Sequence, residues 1–115
     1  MKKIVLLILL INITLVFYHC SSTKTIANAP SNVELEIAKK RWPDATIASL
    51  TEGHTIYTTR CNRCHGLKTI SKYNEAKWDH EINDMAPKAK LTVAETETLR
   101  RYILSVREAA AVKAQ

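Results

Sequence analysis

The sequence predicts an all-α protein of three to five short helices. Apolar residues recur at three- and four-residue spacing in several separate stretches. No stretch alternates with period two, and no βαβ unit can be read. Residues that favour helix starts stand ahead of these stretches, and helix breakers follow some of them.

The 115 residues allow one small domain at most, and the chain does not begin as part of it. Met1-Lys2-Lys3 is basic, and the run from Ile4 to Tyr18 is almost wholly apolar. That is the layout of an export signal. A membrane-spanning helix needs about 20 apolar residues; this run is shorter and contains Asn12 and Thr14, so export is preferred over an uncleaved anchor. Cys20 comes directly after it, followed by Ser21 and Ser22. This resembles a bacterial lipoprotein signal, in which the cysteine is lipidated and opens the mature chain. Phe17 and His19 are bulkier than such sites favour. The other cut, at Ala27-Asn28-Ala29, lies far from the apolar run and is followed by Pro30. The expected organisation is a signal over 1–19, a flexible tether over 20–32 and a domain over 33–111. The domain is then exported to the periplasmic side and held at the membrane by the lipid or an N-terminal anchor.

Lys2 and Lys3 account for two of the six net positive charges, so the mature chain is only mildly basic. No basic stripe with interleaved aromatics is present, which excludes nucleic acid as the natural partner. A mild positive charge can steer the domain toward an acidic partner.

Val33 and Ile37 at helical spacing predict a first helix through Arg41, stopped by Trp42-Pro43. Thr46 or Ser49 can cap a second, running to about Arg60 with Leu50, Gly53, Ile56 and Tyr57 on one face, and Gly66 beyond it is a stop signal. Asn74 can cap a third from Glu75 to about Asp84, with Trp78 and Ile82 one turn apart. Met85-Ala86-Pro87 reads as a turn, because a residue before proline avoids the helical region. Thr92-Val-Ala-Glu95 is a capping-box pattern that opens a last helix to about Ala111. Its inner face is Val93, Leu99, Tyr102, Ile103 and Val106, and Glu97 and Arg101 form an outer i,i+4 pair. With one Phe, this gives a thin core, and domains so small often need a staple, a metal or a cofactor.

Cys61-Asn-Arg-Cys64-His65 offers such a staple. A disulfide between the two cysteines would close a tiny loop and constrain little. A structural zinc ion wants four ligands, usually with a second pair downstream; the remaining ligands would come from His54, His65 and His80, and no second Cys-x-x-Cys exists. A redox dithiol of the thioredoxin type sits at a helix start beside a strand, and here the cysteines follow a helix. The third reading is covalent haem, for which Cys-x-x-Cys-His is the attachment pattern. Two thiols three apart on a helical turn can reach two vinyl groups on one side of the macrocycle, and the adjoining histidine can bind the iron. Met85, twenty residues past His65, can supply a thioether as the second axial ligand. Alone it would read as core filler. His80, then His54, then Lys88 or Lys90 are the other candidates.

From Leu50 to about Ser105 the chain resembles a small class I cytochrome c. The matching pieces are Gly53-x3-Tyr57, Cys61-Asn-Arg-Cys64-His65, Trp78-x6-Met85, Leu91-Thr92-x2-Glu95 and Leu99-x2-Tyr102-Ile103. The resemblance implies a cytochrome c-like fold around one covalent haem c bound through Cys61 and Cys64, with His65 and Met85 as axial metal ligands. It implies a one-electron carrier with no catalytic residues and no small-molecule substrate, working with redox partner proteins. It implies that the first and last helices of the matched region cross at Gly53, with Tyr57 and Tyr102 beside it, and that Trp78 lies near the haem. The chain departs from the family in lacking a Gly-Pro soon after the haem motif, where a backbone carbonyl holds the histidine ring, and in the short stretch from Lys68 to Tyr73. Two other readings stay open. One is a haem enzyme subunit or gas sensor with a labile sixth ligand. The other is a haem-free lipoprotein whose cysteines hold zinc or a disulfide.

Overall fold

The structure, a computed structural model, describes residues 27–115. The expected signal over 1–19, the expected lipidation site Cys20 and the expected tether as far as residue 26 lie outside the described residues. Four helices follow in order: α1 Asn32–Arg41, α2 Ile47–Thr59, α3 Glu75–Lys88 and α4 Val93–Lys113. Short 3₁₀ turns at Cys61–Arg63 and Ile70–Lys72 lie between α2 and α3. The described residues are all-α and contain no strand.

Local chemistry sets the helix starts. Thr92 and Glu95 form the capping box of α4, and the Asn74 side chain accepts from the Lys77 amide at the start of α3. Thr46 and Ser49 act together on α2, so both residues that could cap this helix take part. Ser31 and Glu34 also form a capping box, which opens α1. The last helix continues two residues past its expected end, to Lys113.

α3 departs most from expectation. It does not end near Asp84 but runs through Pro87 to Lys88, which places Met85 on a helix and not in a turn. A proline near a helix end loses one amide bond, while its fixed φ suits the helix. The end is then closed by other means. Lys90 takes a left-handed φ of 53°, the Leu91 amide returns to the Ala86 carbonyl at 2.9 Å, and the Lys90 amide to the Pro87 carbonyl at 3.0 Å. These are the two bonds of a Schellman motif. Gly66, by contrast, ends no helix: α2 has already stopped at Thr59, and no glycine has positive φ.

α4 is the central element, packed on α1, α2, α3 and the second 3₁₀ turn. Its Leu99, Tyr102, Ile103 and Val106 meet Ile56 and Tyr57 of α2, Trp78 and Ile82 of α3, and Ile70. Val93 was expected on this face but is 90% exposed. It occupies the first position of the helix, more than a turn before the first buried residue, Leu99.

α2 and α4 approach closely at Gly53. A Cβ placed on Gly53 would lie 2.5 Å from the Thr98 carbonyl oxygen and 2.5 Å from Tyr102 Cβ. Only a residue without a side chain lets these backbones meet.

The folded part also begins ahead of residue 33. Ala27 packs against the main core, the Tyr102 hydroxyl donates to the Asn28 carbonyl at 2.9 Å, and His54 Nε2 lies 3.4 Å from the Ala27 carbonyl. No helix among the described residues is long and apolar enough to cross a membrane.

Candidate functional site

The helices leave a narrow cleft, partly open to solvent. Leu67, Trp78, Ile82, Leu99 and Ile103 give it a predominantly apolar wall, and Cys61, His65 and Met85 also line it. Residues far apart in sequence thus meet at one place: a thiol from the turn after α2, an imidazole from the loop beyond, and a thioether from α3.

Each is placed by its local structure. α2 delivers Arg60, and the chain tightens into the Cys61–Arg63 turn. Residues three apart stack over one another in a 3₁₀ turn, which is the relation of Cys61 to Cys64. Both are free thiols; Cys61 is half-buried, while Cys64 is exposed and off the cleft wall. Burial pushes the Cys61 thiol up, with Arg60 opposing weakly. A thiol held protonated is a poor attacking nucleophile, which weighs against dithiol exchange.

His65 sits exposed at the rim, its Nδ1 3.0 Å from the Gly66 carbonyl oxygen. In the tautomer with hydrogen on Nδ1, the ring donates to this carbonyl and leaves the Nε2 lone pair for a ligand. The carbonyl of the very next residue therefore offers the support that a Gly-Pro turn would have given. Met85 is half-buried in the last turns of α3.

The loop after His65 is pinned from the core. The Tyr57 hydroxyl donates to the Lys68 carbonyl at 2.5 Å, and Trp78 Nε1 donates to the Ile70 carbonyl at 2.9 Å. Trp78 meets Tyr57 and Tyr73 edge to face, with ring centroids 6.1 and 5.8 Å apart. Burial pushes the Tyr57 phenol up, so it stays a donor. Lys68 and Glu81 also line the cleft and pair at 2.6 Å, with Lys77 on the other carboxylate oxygen at 2.9 Å. Hydrogen bonds from Lys68 and Lys77 hold the Glu81 carboxyl at about 2.

The alternative ligands lie elsewhere. His54 stacks edge-on against Tyr102, and neither it nor His80 lines the cleft. Lys88 pairs with Asp84 at 2.7 Å, and Lys90 lies in the turn after α3. Among the described residues, no three His, Cys, Asp or Glu side chains gather to hold a metal ion, so the second half of a zinc site is missing there.

A thiol, an imidazole and a thioether around an apolar cleft suit a large apolar cofactor with a soft or borderline metal at its centre. They do not suit a hydrated cation such as Mg²⁺ or Ca²⁺, which wants oxygen ligands. Among the described residues, no buried side-chain polar atom lacks a partner, so the cleft leaves no polar group of its own unmet. Cys61, His65 and Met85 are of the kinds that would hold the haem the sequence pattern suggests, whereas Cys64 stands off the cleft wall. The sequence reading did not single out Lys68, Glu81 or Arg60; only Lys77 and Glu81 carried a local signal, their i,i+4 spacing. No protein-family model, curated protein or solved structure matches the chain.

Proposed function

We propose that this chain is an exported, membrane-tethered electron carrier of the cytochrome c class, with one covalent haem c in the cleft between α2, α3 and α4. The observation that carries the reading is the meeting of Cys61, His65 and Met85 at one apolar cleft. The close crossing of α2 and α4 at Gly53 agrees with a cytochrome c-like fold.

Cys61 and Cys64 would hold the haem as thioethers, and His65 and Met85 would bind its iron. The group would supply a one-electron Fe(III)/Fe(II) couple, at the high potential of a His/Met pair. The chain does the rest. The Gly66 carbonyl orients the His65 ring. Leu67, Ile82, Leu99 and Ile103 give the site an apolar wall. Tyr57 and Trp78 fix the loop that carries Leu67 and Lys68. No general base or nucleophile is called for, and the partners would be other redox proteins. Export and lipidation at Cys20 belong to the same proposal.

The test is an alkaline pyridine haemochrome on the exported protein, made in a host that attaches c-type haem and extracted under denaturing conditions. A c-type spectrum that survives extraction, and is lost on replacing both Cys61 and Cys64 with Ala, is the expected result. A protein that leaves the maturation system without covalent haem would overturn the proposal.

A further inference from the structure

Arg60 is the last residue before the Cys61 turn, and its side chain is only 27% exposed. Nη2 donates to the Ala89 carbonyl at 2.8 Å and to the Lys90 carbonyl at 3.0 Å, and Nη1 lies 3.4 Å from Glu95 Oε1. Ala89 and Lys90 form the turn that closes α3, and Glu95 closes the capping box of α4. One guanidinium therefore joins the end of α2, the end of α3 and the start of α4. A cation is favoured at a helix C-terminus, where carbonyls lack amide partners. Its planar fork can serve two acceptors at once, which an ammonium does less well.

Two parts of the cleft wall depend on this junction. Cys61 follows Arg60 directly, and His65 lies four residues further. On the other side, the Ala89 amide donates to the Met85 carbonyl at 2.9 Å, so the turn held by Arg60 is one helical turn from Met85. We propose that Arg60 is a positioning residue that holds the Met85 segment of α3 against the Cys61–His65 segment and so keeps the thioether at the site. The proposal rests on the haem reading above.

The experiment compares the full chain with its R60Q and R60K variants, each carrying covalent haem by pyridine haemochrome. Two signals are followed against temperature: the sulfur-to-iron absorbance of the ferric protein and the helical circular dichroism. Losing hydrogen bonds to a charged group should shift the balance of bound to released thioether about tenfold toward release. In R60Q the sulfur band should fade at temperatures where the helix signal is intact, and R60K should lie between R60Q and the parent. If R60Q does not fold, R60K carries the comparison by the same criterion. A band that persists to global unfolding, or that falls strictly in step with the helix signal, would overturn the proposal and leave Arg60 a merely structural residue. Those outcomes require a parent with both covalent haem and the sulfur band. A parent without covalent haem defeats the underlying reading and this proposal together, and a haem-loaded parent without the band defeats this proposal and Met85 as ligand.

Discussion

Gly53 leaves no room for a side chain beside Tyr102: a Cβ on Gly53 would stand 2.5 Å from Tyr102 Cβ and equally close to the Thr98 carbonyl oxygen. Neither neighbour is the far end of a flexible side chain, so relief requires α2 and α4 to separate. In a mid-helix site, Gly to Ala normally gains about 1 kcal/mol. Overpacking costs about 1–3 kcal/mol, and a clash with backbone atoms belongs at the upper end. Gly53→Ala should therefore lower stability by about 1–2 kcal/mol, or several degrees in Tm for a domain of this size. An unchanged or raised urea midpoint would show that the crossing is looser than described.

How much of this was readable beforehand depends on the range of each interaction. Thr92 and Glu95, Thr46, and Asn74 act within four residues, so the sequence exposes them. Ser31 and Glu34 have the same short pattern, but the small polar residues around them read as tether. Pro87 misled because a proline disfavours helix at the residue before it, yet the Schellman bonds from Lys90 and Leu91 secure the end beyond. Cys61, His65 and Met85 could be singled out by chemistry, since few residue types are able to bind a soft or borderline metal, and the fold brings the three to one cleft wall. Arg60 was not: its best acceptors are main-chain carbonyls 29 and 30 residues away, and carbonyls have no letter in a sequence.

Met85 separates a carrier from a haem protein with a labile sixth position. If its thioether is the second axial ligand, Met85→Ala should keep the covalent haem, lose the sulfur-to-iron band and lower the reduction potential. The ferrous variant should then take up CO readily while the parent does not. Rapid CO binding by the parent would favour the sensor or enzyme reading, and an unchanged spectrum in the variant would remove Met85 from the ligand set.

Glu81 gives a pH dependence of known sign. Hydrogen bonds from Lys68 and Lys77 lower its carboxyl from the usual 4.5 to about 2. A group with a depressed folded-state pKa stabilises the fold above its unfolded value, and that stability is lost as pH falls through the folded one. The window is thus from about 4.5 down to about 2. The side chain as a whole is 21% exposed and its charged end reaches solvent, so screening holds the contribution to about 1 kcal/mol. Glu81→Gln should cost about that much near neutral pH and progressively less below about pH 4. Urea midpoints of both proteins across this range provide the check. A deficit that stays constant down to about pH 2 would mean that Glu81 acts by packing and not by charge.

The loop bearing His65, Leu67 and Lys68 is held by two side chains from different helices, Tyr57 through the Lys68 carbonyl and Trp78 through the Ile70 carbonyl. Ile70 is fully buried, so its carbonyl has little access to water when Trp78 is replaced. Tyr57→Phe should cost about 1 kcal/mol, while Trp78→Phe should cost more, about 2 kcal/mol, because it also vacates space in the core. Both bonds restrain the same short segment, so releasing one lets the loop relax away from the other. The double variant should therefore lose less than the sum of the two, with a coupling of about 0.5 kcal/mol or more. Urea unfolding of the parent, both single variants and the double variant gives that coupling directly. If the losses add within error, the two bonds are independent anchors, and the loop does not move as one piece.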